Sequence, residues 1–376
     1  MKILYSCLSR SWGGLEMRTI QGAQQLLKRN VSTEILCYPN SKIHKEAKAL
    51  GLITHTLKAS GYIHPLQVVK LSSLLKENNY DVVHTQASKD LWMLVPALQL
   101  ISLQIPLILT KRVGSFIVKK DFLHRWLYSR LTCIIAISRE IKQNVIDTCP
   151  IPEEKVQLIY NGVDLEKFDP DKADCKRIKK EFNIKEDEIV IGMLARFSPG
   201  KGHEEFLAAG KELLKSYHNL RFIIIGEPSA GEEEYAGKIK SMVNDYNIAD
   251  KAVFTGFRTD IPDLLSAMDI FTFPSHSEAF GNALIEAMAM GKPSVCSNSA
   301  GVPEIAIEGK TGYFFKKQDA DDLAKKLGLL IDSPHNRKAF GDAARYHVKQ
   351  NFDLNRVTDK ILAIYYDALT ETDTTL

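Results

Sequence analysis

Short, almost uncharged apolar runs alternate with longer stretches in which apolar residues recur every three or four positions. The first pattern predicts buried strands and the second amphipathic helices. Strands are predicted at 3–7, 33–37, 53–57, 82–85, 107–110, 133–137 and 156–159, and again at 189–194, 222–225, 253–255, 270–273, 294–296 and 313–315. Between the first two, 15–28 reads as a helix with Ile20, Ala23, Leu26 and Leu27 on one face and Asn30 at its end. A helix over 321–330 is capped by Asp319, and a last one over 355–369 sets Val357, Ile361, Ile364 and Tyr365 on one face, which needs a partner surface. The strand–helix–strand rhythm predicts an α/β fold of doubly wound parallel sheets.

The rhythm runs, pauses and restarts. The pause is Asn161-Gly162-Val163-Asp164 followed by a polar stretch to Asp174 containing Pro170. Two Rossmann-like halves follow, 1–168 and 169–354, with 355–376 as a terminal helix and tail returning to the first half. Ligands are expected at the carboxyl ends of the strands, in the cleft between the halves. At 376 residues, two domains are also the expectation from length alone.

Composition adds three points. Residues 1–168 hold 22 Lys and Arg against 13 Asp and Glu, whereas 169–376 hold 27 against 33, so a basic front half precedes an acidic back half. The front half is expected to meet something anionic, such as a membrane surface, a phosphorylated acceptor or a nucleic acid. Six scattered cysteines without a C-x-x-C pair read as reduced core residues, and no signal peptide is apparent at Met1–Cys7. Leu91–Thr110 carries no charge, but Pro96, Gln99, Ser102, Gln104 and Pro106 divide it into a buried helix ending near Leu103 and a strand, so no membrane span is expected.

The candidate chemistry centres on Ser275–Gly291. The strand 270–273 feeds a loop, and a helix starts near Gly281 or Asn282 and stops at Gly291, leaving first-turn N–H groups for an anion. Glu278 lies in the loop and Glu286 about one turn into the helix. Carboxylates beside an anion site suit the hydroxyls of a sugar nucleotide, and they equally suit a solvated loop Glu and an ordinary helix Glu. Arg196 and Lys201, flanking Ser198-Pro199-Gly200 after another strand, supply the cations a diphosphate needs, unless they form only a solvated turn. Gly13-Gly14 opens the first helix, which would admit a phosphate but equally makes a plain turn. His84 follows the fourth strand, as a reacting-centre residue or as a hydrogen-bonding core histidine. Asp169-Pro170-Asp171 and Asp319-Ala320-Asp321 read as a linker and a cap rather than as metal ligands. Lys111–Arg130, basic and aromatic, reads as an interfacial patch for anionic lipid or a phosphorylated acceptor, or as a solvated amphipathic helix.

In this order, Gly-Gly, Asn-Gly-Val-Asp, Arg-x4-Lys-Gly and Glu-x7-Glu make the chain resemble the family 4 retaining glycosyltransferases of the GT-B fold over nearly its whole length. Thr255-Gly256-Phe257 and Gly226-Glu227-Pro228 add to the resemblance. It implies that Glu286 takes the donor ribose, Arg196 and Lys201 the diphosphate, and Glu278 the hydroxyls of the donor sugar. The amides of Phe280, Gly281 and Asn282 would meet phosphate and sugar, the backbone near Arg258 the base, and Gly13 and Gly14 the phosphate side. His84 would stand near the anomeric carbon, Gln86 occupies the place of a second family histidine, and Asp90 is an alternative base. The implied activity is transfer of a hexose-type sugar, UDP-sugar favoured, to a glycan or lipid-linked acceptor in surface polysaccharide or lipopolysaccharide synthesis. No cofactor, metal or nucleic acid is implied, and the expected location is the cytoplasm, with peripheral contact at an anionic inner membrane face. A sugar-nucleotide epimerase and a non-catalytic sugar-nucleotide binding protein are the alternatives.

Overall fold

A computed structural model of the chain describes all residues except 60, 61, 63, 103 and 374–376, with side chains through residue 370. Leu103 therefore lies outside the described residues; the apolar helix before it runs Leu91–Leu100. Among the described residues no helix is long and apolar enough to cross a membrane.

The chain forms two units, Met1–Tyr160 with Asn355–Leu376, and Asn161–Leu354. The first contains β1 (Lys2–Cys7), β2 (Ser32–Cys37), β3 (Thr54–Thr56), β4 (Val82–Thr85), β5 (Leu107–Lys111), β6 (Cys133–Ala136) and β7 (Val156–Leu158). They form one parallel sheet in the order β3-β2-β1-β4-β5-β6-β7. The second contains β8 (Ile189–Leu194), β9 (Leu220–Ile225), β10 (Ala252–Gly256), β11 (Ile270–Phe273), β12 (Ser294–Ser297) and β13 (Gly312–Phe315), parallel in the order β10-β9-β8-β11-β12-β13. All four residues of β4, β6, β11 and β12 are buried, because helices cover both faces of a parallel sheet.

Each unit thus repeats one topology: the chain winds outward one way from its first strand, then returns and winds the other way. Strand order reverses between β1 and β4 in the first unit and between β8 and β11 in the second. The loops leaving these paired strands diverge and open a crevice for ligands.

The segment Asn161–Phe168, grouped with the first half by the polar pause, belongs to the second unit. The Val163 N–H donates to Phe352 O (2.8 Å), and the Leu354 N–H donates to Val163 O (3.0 Å). The helix Leu354–Asp373 joins the first unit. Its Val357 and Tyr365 are buried in that unit's core with Ile20, Ala23 and Leu26, and Ile361 and Ile364 pack against it. Each such side chain contributes roughly 1.5–3 kcal/mol on burial, and Arg29 adds an ion pair to Asp359 at 2.8 Å. Asp169 accepts from the Asp171 N–H and pairs with Arg345 at 3.0 Å, while Asp319 caps the helix Ala320–Ile331.

Candidate active site

In the second unit, the β8 and β11 loops meet where strand order reverses. Gly202, with φ of +80°, caps the helix His203–Leu213, and a Cβ there would stand 2.4 Å from Pro274 O. Only glycine allows this approach. The His276 N–H donates to Gly200 O at 2.8 Å, and His276 Nε2 pairs with Glu205 at 2.7 Å, closing the seam. From opposite sides of the seam, Lys201 Nζ reaches Glu278 Oε2 at 2.6 Å, both side chains about a quarter exposed. Lys201 and Glu278, predicted as neighbours on one ligand, are ion-paired to each other.

Gly281, with φ of +108°, begins the helix Asn282–Ala289. Leu284 and Ile285 N–H both donate to Gly281 O, so the N–H groups of Asn282 and Ala283 precede the first intrahelical bonds. Glu286, half-buried, lies four residues beyond Asn282 and hence on the same face, one turn below that free end. The Asn282 side chain accepts from Asn161 Nδ2 at 3.1 Å. Phe280 is buried edge-on to Phe352, so its ring packs the loop down onto the second unit. Ser297 and Ser299 hydroxyls both donate to Ser275 O, fixing the loop from below.

Arg196 is exposed and donates to Ser229 Oγ at 2.8 Å. The Arg258 side chain is committed elsewhere: it bonds Asp260 through Nε (2.8 Å) and Nη2 (2.6 Å) and Glu181 through Nη1 (2.5 Å). These carboxylates raise its pKa further.

In the first unit, Gly13 and Gly14 follow β1, and a Cβ at Gly14 would meet no atom within 4 Å. The protein's own packing does not demand glycine there. Next to this loop, a cavity of about 340 Å³ is lined by Leu8, Arg10, Leu15, Lys89, Asp90 and Met93. Asp90 is buried, and its Oδ2 accepts from Ser6 Oγ (2.6 Å) and the Leu8 N–H (3.1 Å). Burial pushes its pKa up to about 6 despite these bonds.

His84 is not among the residues lining this cavity, and its bonds are those of the hydrogen-bonding core histidine that the sequence also allowed. Its Nδ1 bonds Tyr365 Oη at 2.5 Å and its Nε2 bonds Thr110 Oγ1 at 2.7 Å, with the ring 1% exposed. Burial, then the nearby Arg112 charge, depress its pKa to about 3, so it is a neutral anchor for the C-terminal helix. Gln86 is buried too and accepts from Arg112 Nε (3.2 Å) and Nη2 (3.0 Å). The sequence did not reveal the β11 loop's serine support or the His276–Glu205 pair; only Gly200 and Gly202 marked the seam.

A family model described as glycosyl transferases group 1 matches residues 174–347, and one described as glycosyltransferase family 4 matches 12–167. The chain is 28% identical over 250 residues to the capsular polysaccharide biosynthesis glycosyltransferase CapM of Staphylococcus aureus, covering 64% of this chain and 63% of that one, less than two thirds of its length. It is 28% identical over 315 residues to the UDP-Gal:alpha-D-GlcNAc-diphosphoundecaprenol alpha-1,3-galactosyltransferase of Escherichia coli, covering 80% and 79%. Anabaena Alr3699/HepE, solved in complex with UDP and glucose, shares the fold with a TM-score of 0.81, 22% identity and full coverage of both chains.

Proposed function

Since the chain belongs to the group 1 and family 4 glycosyltransferases, we propose that it moves a hexose-type sugar from a UDP-sugar to a hydroxyl of a glycan or lipid-linked acceptor in surface polysaccharide or lipopolysaccharide synthesis. The matched families are glycosyltransferases, so the epimerase and the non-catalytic alternatives are dropped. The observation that carries the reading is the Lys201–Glu278 pair beside a free helix N-terminus at the strand reversal of the second unit.

A diphosphate entering this site takes Lys201, with Arg196 and the Asn282 and Ala283 amides as further donors. Glu278, released from Lys201, accepts from the sugar's hydroxyls, and Glu286 accepts from the ribose diol. The barrier to transfer is largely charge building on the leaving diphosphate, and fixed cations and amides aimed at it lower that barrier. The acceptor hydroxyl attacks from the face the diphosphate leaves, passing its proton to a departing phosphate oxygen, with retention and without a metal. The acceptor belongs to the first unit, where Asp90 lies in the wall of the larger cavity and accepts from an acceptor hydroxyl. The basic, aromatic tract Lys111–Arg130 rests on an anionic inner membrane face.

UDP titrations and turnover of three variants test the roles. Lys201→Ala and Glu286→Ala weaken UDP binding, whereas Glu278→Ala keeps UDP affinity and lowers turnover. Equal UDP affinity in all three overturns the assignment.

A further inference from the structure

Beside the larger cavity of the first unit lies a smaller one, of about 120 Å³, whose lining includes Ser88, Lys89, Trp92, Lys119, His124 and Tyr128. Lys89 also borders the larger cavity. Under the floor, the buried Lys111 donates to Ser88 Oγ at 3.1 Å. Burial, then the charge of Lys119, push its pKa down to about 8. Two like charges have thus been folded toward one polar wall at electrostatic cost. Among the described residues, no carboxylate forms an ion pair with Lys89, Lys111 or Lys119. The acid bonded to the lining is Asp121, which pairs with His124 Nδ1 at 2.5 Å. Trp92 stands edge-on to His124 and gives the wall an apolar flank. Lys89 and Lys119 line a small cavity with no carboxylate ion-paired to either, and the buried Lys111 adds a third positive charge behind its Ser88 wall, an arrangement that suits an anion supplied from outside.

We propose that this cavity binds a phosphate ester of the acceptor, so that Lys89 and Lys119 hold the acceptor's phosphate, with Lys111 behind Ser88 adding positive charge, while its sugar enters the adjoining cavity at Asp90. This rests on the glycosyltransferase reading and narrows it to phosphorylated acceptors. Phe116, Ile117 and Val118, which precede Lys119 in the chain, and Phe122 are exposed and offer apolar surface to a lipid chain attached to that phosphate.

The test uses the whole chain saturated with UDP, so that the second unit's cations are occupied, and geranyl diphosphate as the probe. All three tryptophans, Trp12, Trp92 and Trp126, lie in the first unit, and Trp92 lines the cavity, so their fluorescence reads both binding and integrity of that unit. The proposal expects saturable binding of geranyl diphosphate, none of geraniol, and at least a tenfold loss in Lys119→Gln and in Lys89→Gln with unchanged tryptophan emission and UDP affinity. Unchanged affinity in both variants overturns it, as does equal binding of geraniol. Binding to phosphatidylglycerol vesicles without binding of geranyl diphosphate overturns it in favour of a lipid headgroup. Failure of wild-type chain to bind UDP at all is a different result and refutes the donor reading instead.

Discussion

Removing one oxygen from Tyr365 tests whether the His84 cluster is structural. Tyr365 Oη bonds His84 Nδ1 and lies 3.1 Å from Tyr5 Oη, inside a wholly buried cluster that joins the C-terminal helix to β1 and β4. Tyr365→Phe keeps the ring and orphans both partners. A buried polar group left unsatisfied costs about 1–3 kcal/mol, so two such groups cost about 2–6 kcal/mol together. For a unit of this size that lowers Tm by roughly 4–24 °C, followed by tryptophan fluorescence at pH 7. Acid adds a second readout. The folded pKa of His84, near 3, lies below its ordinary 6.5, so between those values the unfolded chain binds the extra proton. Stability is complete above about pH 6.5 and falls as pH drops through that window, by up to ~1.4 kcal/mol per pH unit. His84→Asn loses this acid slope while retaining part of its turnover. An unaltered Tm in Tyr365→Phe, or abolished turnover in a His84→Asn protein that melts like wild type with its acid slope intact, would refute the anchor role and return His84 to the chemistry.

Two further substitutions separate packing from ligand contact. Gly14→Ala meets no neighbour within 4 Å and sits at a helix start, so its melting temperature stays level or rises slightly while kcat/KM falls tenfold or more; a fully active variant removes Gly14 from the ligand's path. Asp90 has a raised folded pKa near 6, so the folded chain binds the extra proton between about pH 3.8 and 6 and stability falls as pH rises through that window. Asp90→Asn should then be more stable than wild type at pH 7, by up to about 3 kcal/mol; urea melts giving no gain would place Asp90 in a better-solvated setting.

The strands were legible because β-sheets buried on both faces write continuous apolar runs, as in Ile189–Leu194. The Glu278–Glu286 segment was legible because the glycine that starts its helix and the glycine that follows it bracket the element. The two readings of His84 stayed open because a histidine in a buried strand looks the same whether it faces a ligand or a core, and its partner Tyr365 is 281 residues away. The same distance effect hid Glu181, 77 residues earlier, as the partner of the Arg258 side chain. The polar pause at Asn161 marked a change of unit; which side it joined was decided by backbone bonds to Phe352 and Leu354, nearly two hundred residues on.

The resting ion pair also bears on selectivity. A lysine left alone at a helix N-terminus would accept any anion, whereas Lys201 already has Glu278 at 2.6 Å. An anion that takes Lys201 strands that carboxylate, and a partly buried carboxylate without a partner is costly. Inorganic pyrophosphate brings nothing to offset this cost. A nucleotide sugar brings both halves of the exchange: oxygens that replace Glu278 at Lys201 and hydroxyls that replace Lys201 at Glu278. Discrimination then arises from what each ligand leaves unpaired rather than from how many contacts it gains, and it needs only the single approach of the β8 and β11 loops that Gly202 permits.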